Sequence, residues 1–143
     1  MKLTLDIENT VTKRDGKMHL DPFEPENTLV MVGVLTDQGQ EDLITFDHSE
    51  REHTYHGHNL LQKWLDQATV LICHNAAYDL MWLWESGFKY DGPVFDTMLA
   101  EYVLQRGIKE PLSLEACAER YELDTKKQDT LKEYFKQGYS TRD

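Results

Sequence analysis

TVLICHNAAYDLMWLWESG, residues 69–87, carries two periodicities in succession. Residues 69–73 are a short, continuous apolar run, the signature of a strand buried on both faces. From Ala76 to Ser86 the apolar residues crowd a helix, which Gly87 stops. A buried strand that feeds straight into a buried helix is half of a β-α-β unit, and it places the chain in the α/β class. Inside that helix, among Leu80, Met81, Trp82 and Trp84, sits Asp79. Asn75 already takes the capping position, so Asp79 is not there as a cap. A carboxylate buried in such company is costly unless it is paired, hydrogen-bonded or bound to a metal.

Upstream, residues 2–7 alternate, with Leu3, Leu5 and Ile7 on one face and Thr4, Asp6 and Glu8 on the other. That period of two predicts a strand with one buried face. Residues 9–27 are polar, contain Pro22 and Pro25, and read as a long loop. Residues 28–35, TLVMVGVL, read as a central strand with Gly33 as a candidate bulge, and a turn at 37–41 leads to a short strand at 42–46. Three consecutive strands joined in this way predict an antiparallel meander. His58 or Asn59 caps a helix bearing Leu60, Leu61, Trp64 and Leu65. Downstream, 93–95 is a strand stub, and Asp96 caps a helix over 97–105 that Gly107 ends. Two further amphipathic helices fall at 111–121 and 130–137. The order β-β-β-α-β-α-β-α-α-α predicts an α/β, ribonuclease H-like mixed sheet: an antiparallel three-strand meander plus parallel strands, flanked by helices.

The 143 residues fit one domain, and 40% apolar with 29% charged content is that of a folded chain. Acids outnumber bases 26 to 15, for a net charge of −11. Such a field disfavours binding to polyanions through a broad basic surface, although carboxylate-bound cations reverse the sign locally. No apolar run suits a transmembrane helix or a signal peptide, and the two cysteines fit core thiols in a reducing, cytoplasmic setting. The histidines at 53, 56 and 58 lack a cysteine partner and read as loop residues, and the three tryptophans read as core. His74, just before the second helix, reads as capping the end of its strand. P-loop, dinucleotide-binding and nucleophile-elbow motifs are absent.

Asp6 and Glu8 share one strand face near the strand's end, where open α/β sheets place their ligand crevice. If the strand at 69–73 lies beside the first strand, its helix brings Asp79 towards them. Three converging carboxylates suit one or two Mg²⁺ or Mn²⁺ ions and phosphoryl-transfer chemistry.

The motifs then become recognisable. Asp6-Ile7-Glu8 resembles the first motif, D-x-E, of the DEDD family of 3′–5′ exonucleases, and Asn75-Ala-Ala-Tyr78-Asp79 resembles the second, N-x(2–3)-[FY]-D. Asp96-Thr97-Met98-Leu99-Ala100 is similar to the segment opening the next helix in the exonuclease domains of A-family (DNA polymerase I-type) polymerases. NTLVMVGVL, HNAAYDLMWLWESGFKYDGPVFDTMLAEYVL and LSLEACAERYELDTKKQDTLKEYF resemble bacteriophage proofreading domains in particular. The resemblance implies a metal-dependent exonuclease acting on single-stranded DNA 3′ ends beside a polymerase domain, in the cytoplasm of a host cell. It implies Asp6, Glu8 and Asp79 as catalytic, metal-binding acids. It places Asn9, Thr10, Asn75 and Tyr78 against the substrate, and Asp96 as a cap rather than a ligand.

The family's third motif, Y-x(3)-D or H-x(3)-D, lies on a late helix. Here Tyr139 and Asp143 have that spacing but follow Gly138 with no apolar helix around them, and Tyr121 lacks an acid four residues on. The chain, residues 1–143, is therefore read as a single 3′–5′ exonuclease-like domain that stops before its third motif and needs a completing chain. Two alternatives belong to other classes: a non-catalytic interaction module of a replication complex, and an acidic DNA mimic suggested by the charge alone.

Overall fold

In the computed structural model, residues 1–124 are described, together with Gln137 and Arg142. The expected helix at 130–137, apart from Gln137, and both Tyr139 and Asp143 lie outside them.

The alternation seen in the sequence becomes β1 (Lys2–Asn9), whose odd-numbered residues are buried and whose even-numbered residues are exposed. On one flank β1 pairs antiparallel with β4 (Leu29–Thr36), which pairs antiparallel with β5 (Glu41–Thr45). On its other flank β1 pairs parallel with β6 (Val70–Cys73), and β6 with β7 (Val94–Asp96). The sheet order is β5-β4-β1-β6-β7, the expected meander plus parallel strands. α1 (Gly57–Gln67), α2 (Ala76–Glu85), α3 (Thr97–Leu104) and α4 (Leu114–Arg120) complete the α/β domain. Among the described residues no helix is long and apolar enough to cross a membrane.

Register decides the two faces. Leu3, Leu5 and Ile7 stand opposite Thr36, Val34 and Val32, and they form the core with Ile44, Leu61, Leu65, Leu71, Cys73, Trp82 and Leu83. The other face carries Thr4, Asp6 and Glu8, paired with Leu35, Gly33 and Met31.

Four local expectations need correction. The segment 9–27 is not a plain loop, because β2 (Thr12–Arg14) and β3 (Lys17–His19) pair as a hairpin within it. Gly33 keeps regular register, and the irregularity in the β1–β4 ladder falls at Glu8/Asn9. α1 begins at Gly57 after His56 in a left-handed conformation, so neither His58 nor Asn59 caps it. His58 instead stacks on Phe88, with centroids 4.2 Å apart. Trp82 is core, as expected, but Trp84 is 56% exposed.

Candidate active site

Strands β1, β6 and β7 run parallel, and α2 and α3 both start at their carboxyl edge. One carboxylate organises that edge. Asp96 accepts from the N–H groups of Met98 (2.9 Å) and Leu99 (3.4 Å), capping α3. It also accepts from Asn75 N (3.0 Å) and Ala76 N (2.9 Å), at the start of α2. Burial alone would raise the Asp96 carboxyl, but these donors from two helix N-termini outweigh it and hold the carboxyl below its ordinary range. Asn75 occupies the capping position of α2 in a left-handed conformation (φ 68°), yet its side chain makes no capping hydrogen bond. Asp96 instead takes the N–H groups of Asn75 itself and of the first helical residue, Ala76.

Asp79, in the first turn of α2, is 4% exposed. It is hydrogen-bonded with the Cys73 thiol, whose pKa is pushed far upward by burial first and then by Asp79, with smaller contributions from Asp96 and Asp6. Tyr78 is raised by burial, against hydrogen bonds that lower it, and it feels the charges of Asp79 and Glu8. Asp79 thus shares a neighbour with Asp6, at Cys73, and another with Glu8, at Tyr78. Asp6 and Glu8 sit on the exposed face of β1, and Asp6 borders an open depression of about 690 Å³ with Thr4, Gly33, Leu35, Asp42 and Leu43. Gly33, directly opposite Asp6, has open space where a side chain would stand.

All-oxygen donors match a hard divalent cation in chemistry. In spacing they are not closed: among the described residues no three His, Cys, Asp or Glu side chains are gathered to hold an ion. Like-charged carboxylates repel, and a cation is what converts their approach into coordination.

Asn9 and Thr10 are both buried and engaged in the fold. The Asn9 amide donates to the carbonyls of Thr10 (2.8 Å) and Leu20 (3.2 Å), and its oxygen accepts from the Tyr78 hydroxyl (2.7 Å). The Thr10 hydroxyl accepts from Thr28 N at 2.7 Å. The Leu20 carbonyl also takes the Trp82 indole N–H (3.1 Å) and lies 3.1 Å from the Tyr78 hydroxyl. Leu20 and Trp82 escape sequence reasoning, because a backbone acceptor leaves no mark on residue type. His74 does more than cap the end of its strand. Its ring spans Thr97 Oγ1 (2.9 Å) and the Leu112 carbonyl (2.7 Å), joining β6 to α3 and to the entry of α4.

The family model described as 3′-5′ exonuclease matches residues 18–142, and the chain belongs to that family. The match begins after Asp6 and Glu8 and includes Asp79. Among solved structures, the apo form of a nuclease aligns at TM-score 0.61 with 24% identity, over 88% of this chain and 54% of that one. Brucella melitensis NrnC with bound Mg²⁺ aligns at 0.61 with 22% identity, over 88% and 56%. The family B DNA polymerase of the hyperthermophilic archaeon Pyrobaculum calidifontis aligns at 0.55 with 22% identity, over 83% and 18%. These likenesses establish the fold, and the chain spans about half the length of the first structures it matches. No curated protein sequence matches it.

Proposed function

We propose that the chain is a metal-dependent 3′–5′ exonuclease removing nucleotides from DNA 3′ ends, the proofreading part of a phage-type DNA polymerase. One observation carries the reading: in a chain of the 3′–5′ exonuclease family, a D-x-E strand face and a buried aspartate flank the carboxyl edge of one parallel strand pair. Asp6, Glu8 and Asp79 would hold one or two Mg²⁺ or Mn²⁺ ions, and the similar fold of Brucella melitensis NrnC with bound Mg²⁺ supports that choice. When bound, the ions supply charge stabilisation at the scissile phosphate and an activated water. The chain's own residues supply position. Asp96 fixes the start of α2 and with it the Asp79 backbone, while Tyr78, bonded to Asn9, closes the end of β1. Asn75, exposed at that helix start, is the candidate for contact with the terminal nucleotide, whereas Thr10, buried and accepting from Thr28 N, shapes the floor beneath it.

The absence of a closed three-acid cluster among the described residues favours a second reading, a non-catalytic exonuclease-like module in a replication complex. One assay separates them. A 5′-labelled single-stranded oligonucleotide is incubated with Mg²⁺ or Mn²⁺, with and without a polymerase chain carrying a helical Y-x(3)-D segment. Digestion from the 3′ end is expected, strongest with the completing segment, and Asp79→Asn should lower it on the order of 10³-fold, because groups acting as a unit fail together. Digestion that ignores divalent ions or survives Asp79→Asn overturns the catalytic reading. No digestion in any combination supports the second.

A further inference from the structure

Residues 73–76 lead from β6 into α2, and they are laced to the neighbouring turn from β7 into α3. Asp96 takes the N–H groups of Asn75 and Ala76, and the Thr97 hydroxyl lies 3.2 Å from the Cys73 carbonyl. Between them stands His74, partly buried, with both ring nitrogens engaged. Nδ1 is 2.9 Å from Thr97 Oγ1, and Nε2 is 2.7 Å from the Leu112 carbonyl. A carbonyl only accepts, so Nε2 carries a proton, and in the neutral ring Nδ1 is left to accept from the Thr97 hydroxyl. Leu112 precedes Ser113, the residue that caps α4. The planar ring is thus a rigid spacer between the first residue of α3 and the entry of α4. Asp79 lies in the first turn of α2 and is hydrogen-bonded with the Cys73 thiol. The residue before His74 and the turn after it therefore both bear on that carboxylate.

We infer that His74 is a positioning residue for the candidate site: its two ring contacts fix the turn between β6 and α2, and with it the Asp79 carboxylate. The inference rests on the exonuclease reading and adds to it the group that holds the α2 acid in place. Position has to be imposed here, because like-charged carboxylates repel and do not set a productive spacing by themselves. A ring held on one side could rock with the turn, whereas one held on both sides cannot. Groups that orient a metal ligand without touching the ion change metal affinity or activity about 10–100-fold when lost. His74 acts one step further out, through Thr97 and the Asp96 cap, so the lower end of that range is expected.

The test uses two variants that break the same contact. His74→Gln keeps an amide able to reach Leu112 but loses the ring nitrogen facing Thr97, and Thr97→Val removes the hydroxyl at nearly constant shape. Amide hydrogen exchange, followed by NMR on the metal-free chain, reads the turn directly. Both variants should exchange about tenfold faster at Asn75, Ala76 and Tyr78, with the β1–β4 amides unchanged. The double variant should be no faster than either single one, because both remove one interaction. The dissociation constant for Mn²⁺, measured by calorimetry, should rise about tenfold in each. Exchange at the turn that matches the native chain overturns the inference. So does faster exchange throughout the sheet, which is lost stability and not lost position. A loosened turn with unchanged Mn²⁺ affinity overturns it as well, because Asp79 then does not depend on the turn. Failure of the exonuclease reading is visible separately: a native chain that neither binds Mn²⁺ nor digests a strand removes that reading, and the metal-free exchange rates alone then decide whether His74 fixes the turn.

Discussion

Asp96 is the residue on which two helix starts depend. Its role as the cap of α3 is legible, because an aspartate before Thr97 and a run of apolar residues is a standard helix signal. Its hold on Asn75 and Ala76 is not, since the partners are about twenty residues away and are backbone groups. Asp96→Ala should destabilise the fold by about 1–2 kcal/mol, as measured for lost caps, in urea unfolding at pH 7. The pH dependence has a definite sign. A carboxyl depressed in the folded state stabilises above its unfolded value near 3.8, and that contribution is lost as pH falls through the lowered folded value. The gap between the native chain and Asp96→Ala should therefore be constant above about pH 5 and narrow in more acid solution. A gap that widens on acidification would contradict the assignment. Cys73 makes a second prediction at this scale. Buried and facing Asp79, its thiol stays protonated at neutral pH, so alkylation mapped by peptide mass should reach Cys73 only on unfolding. Rapid labelling of the folded chain would show that the thiol is neither buried nor held protonated.

At the scale of elements, long and regular patterns are readable and short ones are not. β1 and β4, eight residues each, declare their burial by alternation or by continuous apolar content. β2 and β3 have three residues each, too few for a period, and almost nothing in them is apolar. The one available sign is Asp15-Gly16, a pair suited to the left-handed conformations of a two-residue hairpin turn, and both residues adopt them (φ 52° and 75°). The bulge at Glu8/Asn9 is also invisible, because it comes from where Asn9 finds partners and not from a glycine. The turn can be tested directly. A Cβ at Gly16 meets nothing within 4 Å, so Gly16→Ala costs only backbone strain, about 1 kcal/mol. That cost should appear as faster hydrogen exchange at the β2–β3 amides while the β1–β4 amides are unaffected, since the hairpin belongs to its own two-stranded sheet. Uniformly faster exchange would mean that hairpin and main sheet open together.

For the whole molecule the governing quantity is charge. Three of the acids that bring the chain to −11, Asp6, Glu8 and Asp79, make up the proposed site, and the sequence does not show how near they stand. Separation depends on how β6 docks beside β1 and on the rotation of α2, which are tertiary outcomes. A site-bound divalent ion should stabilise the native fold by mass action, about 2.7 kcal/mol at a hundred times its dissociation constant. For a domain of this size that is a rise in melting temperature of about 8–10 °C. Any divalent salt also screens a strongly acidic protein, so a shift alone proves little. Two comparisons isolate the site. Sodium chloride at matched ionic strength reproduces screening, and Asp6→Ala removes a ligand while changing the net charge by one unit. The expected result is a Mg²⁺ or Mn²⁺ shift in the native chain well beyond that of sodium chloride, and a shift in Asp6→Ala reduced to the screening level. Equal shifts in both proteins would mean that the acids of β1 and α2 do not act together on one ion. The D-x-E face of β1 would then be a solvated strand face, and the proposed metal-dependent role of these acids would fall.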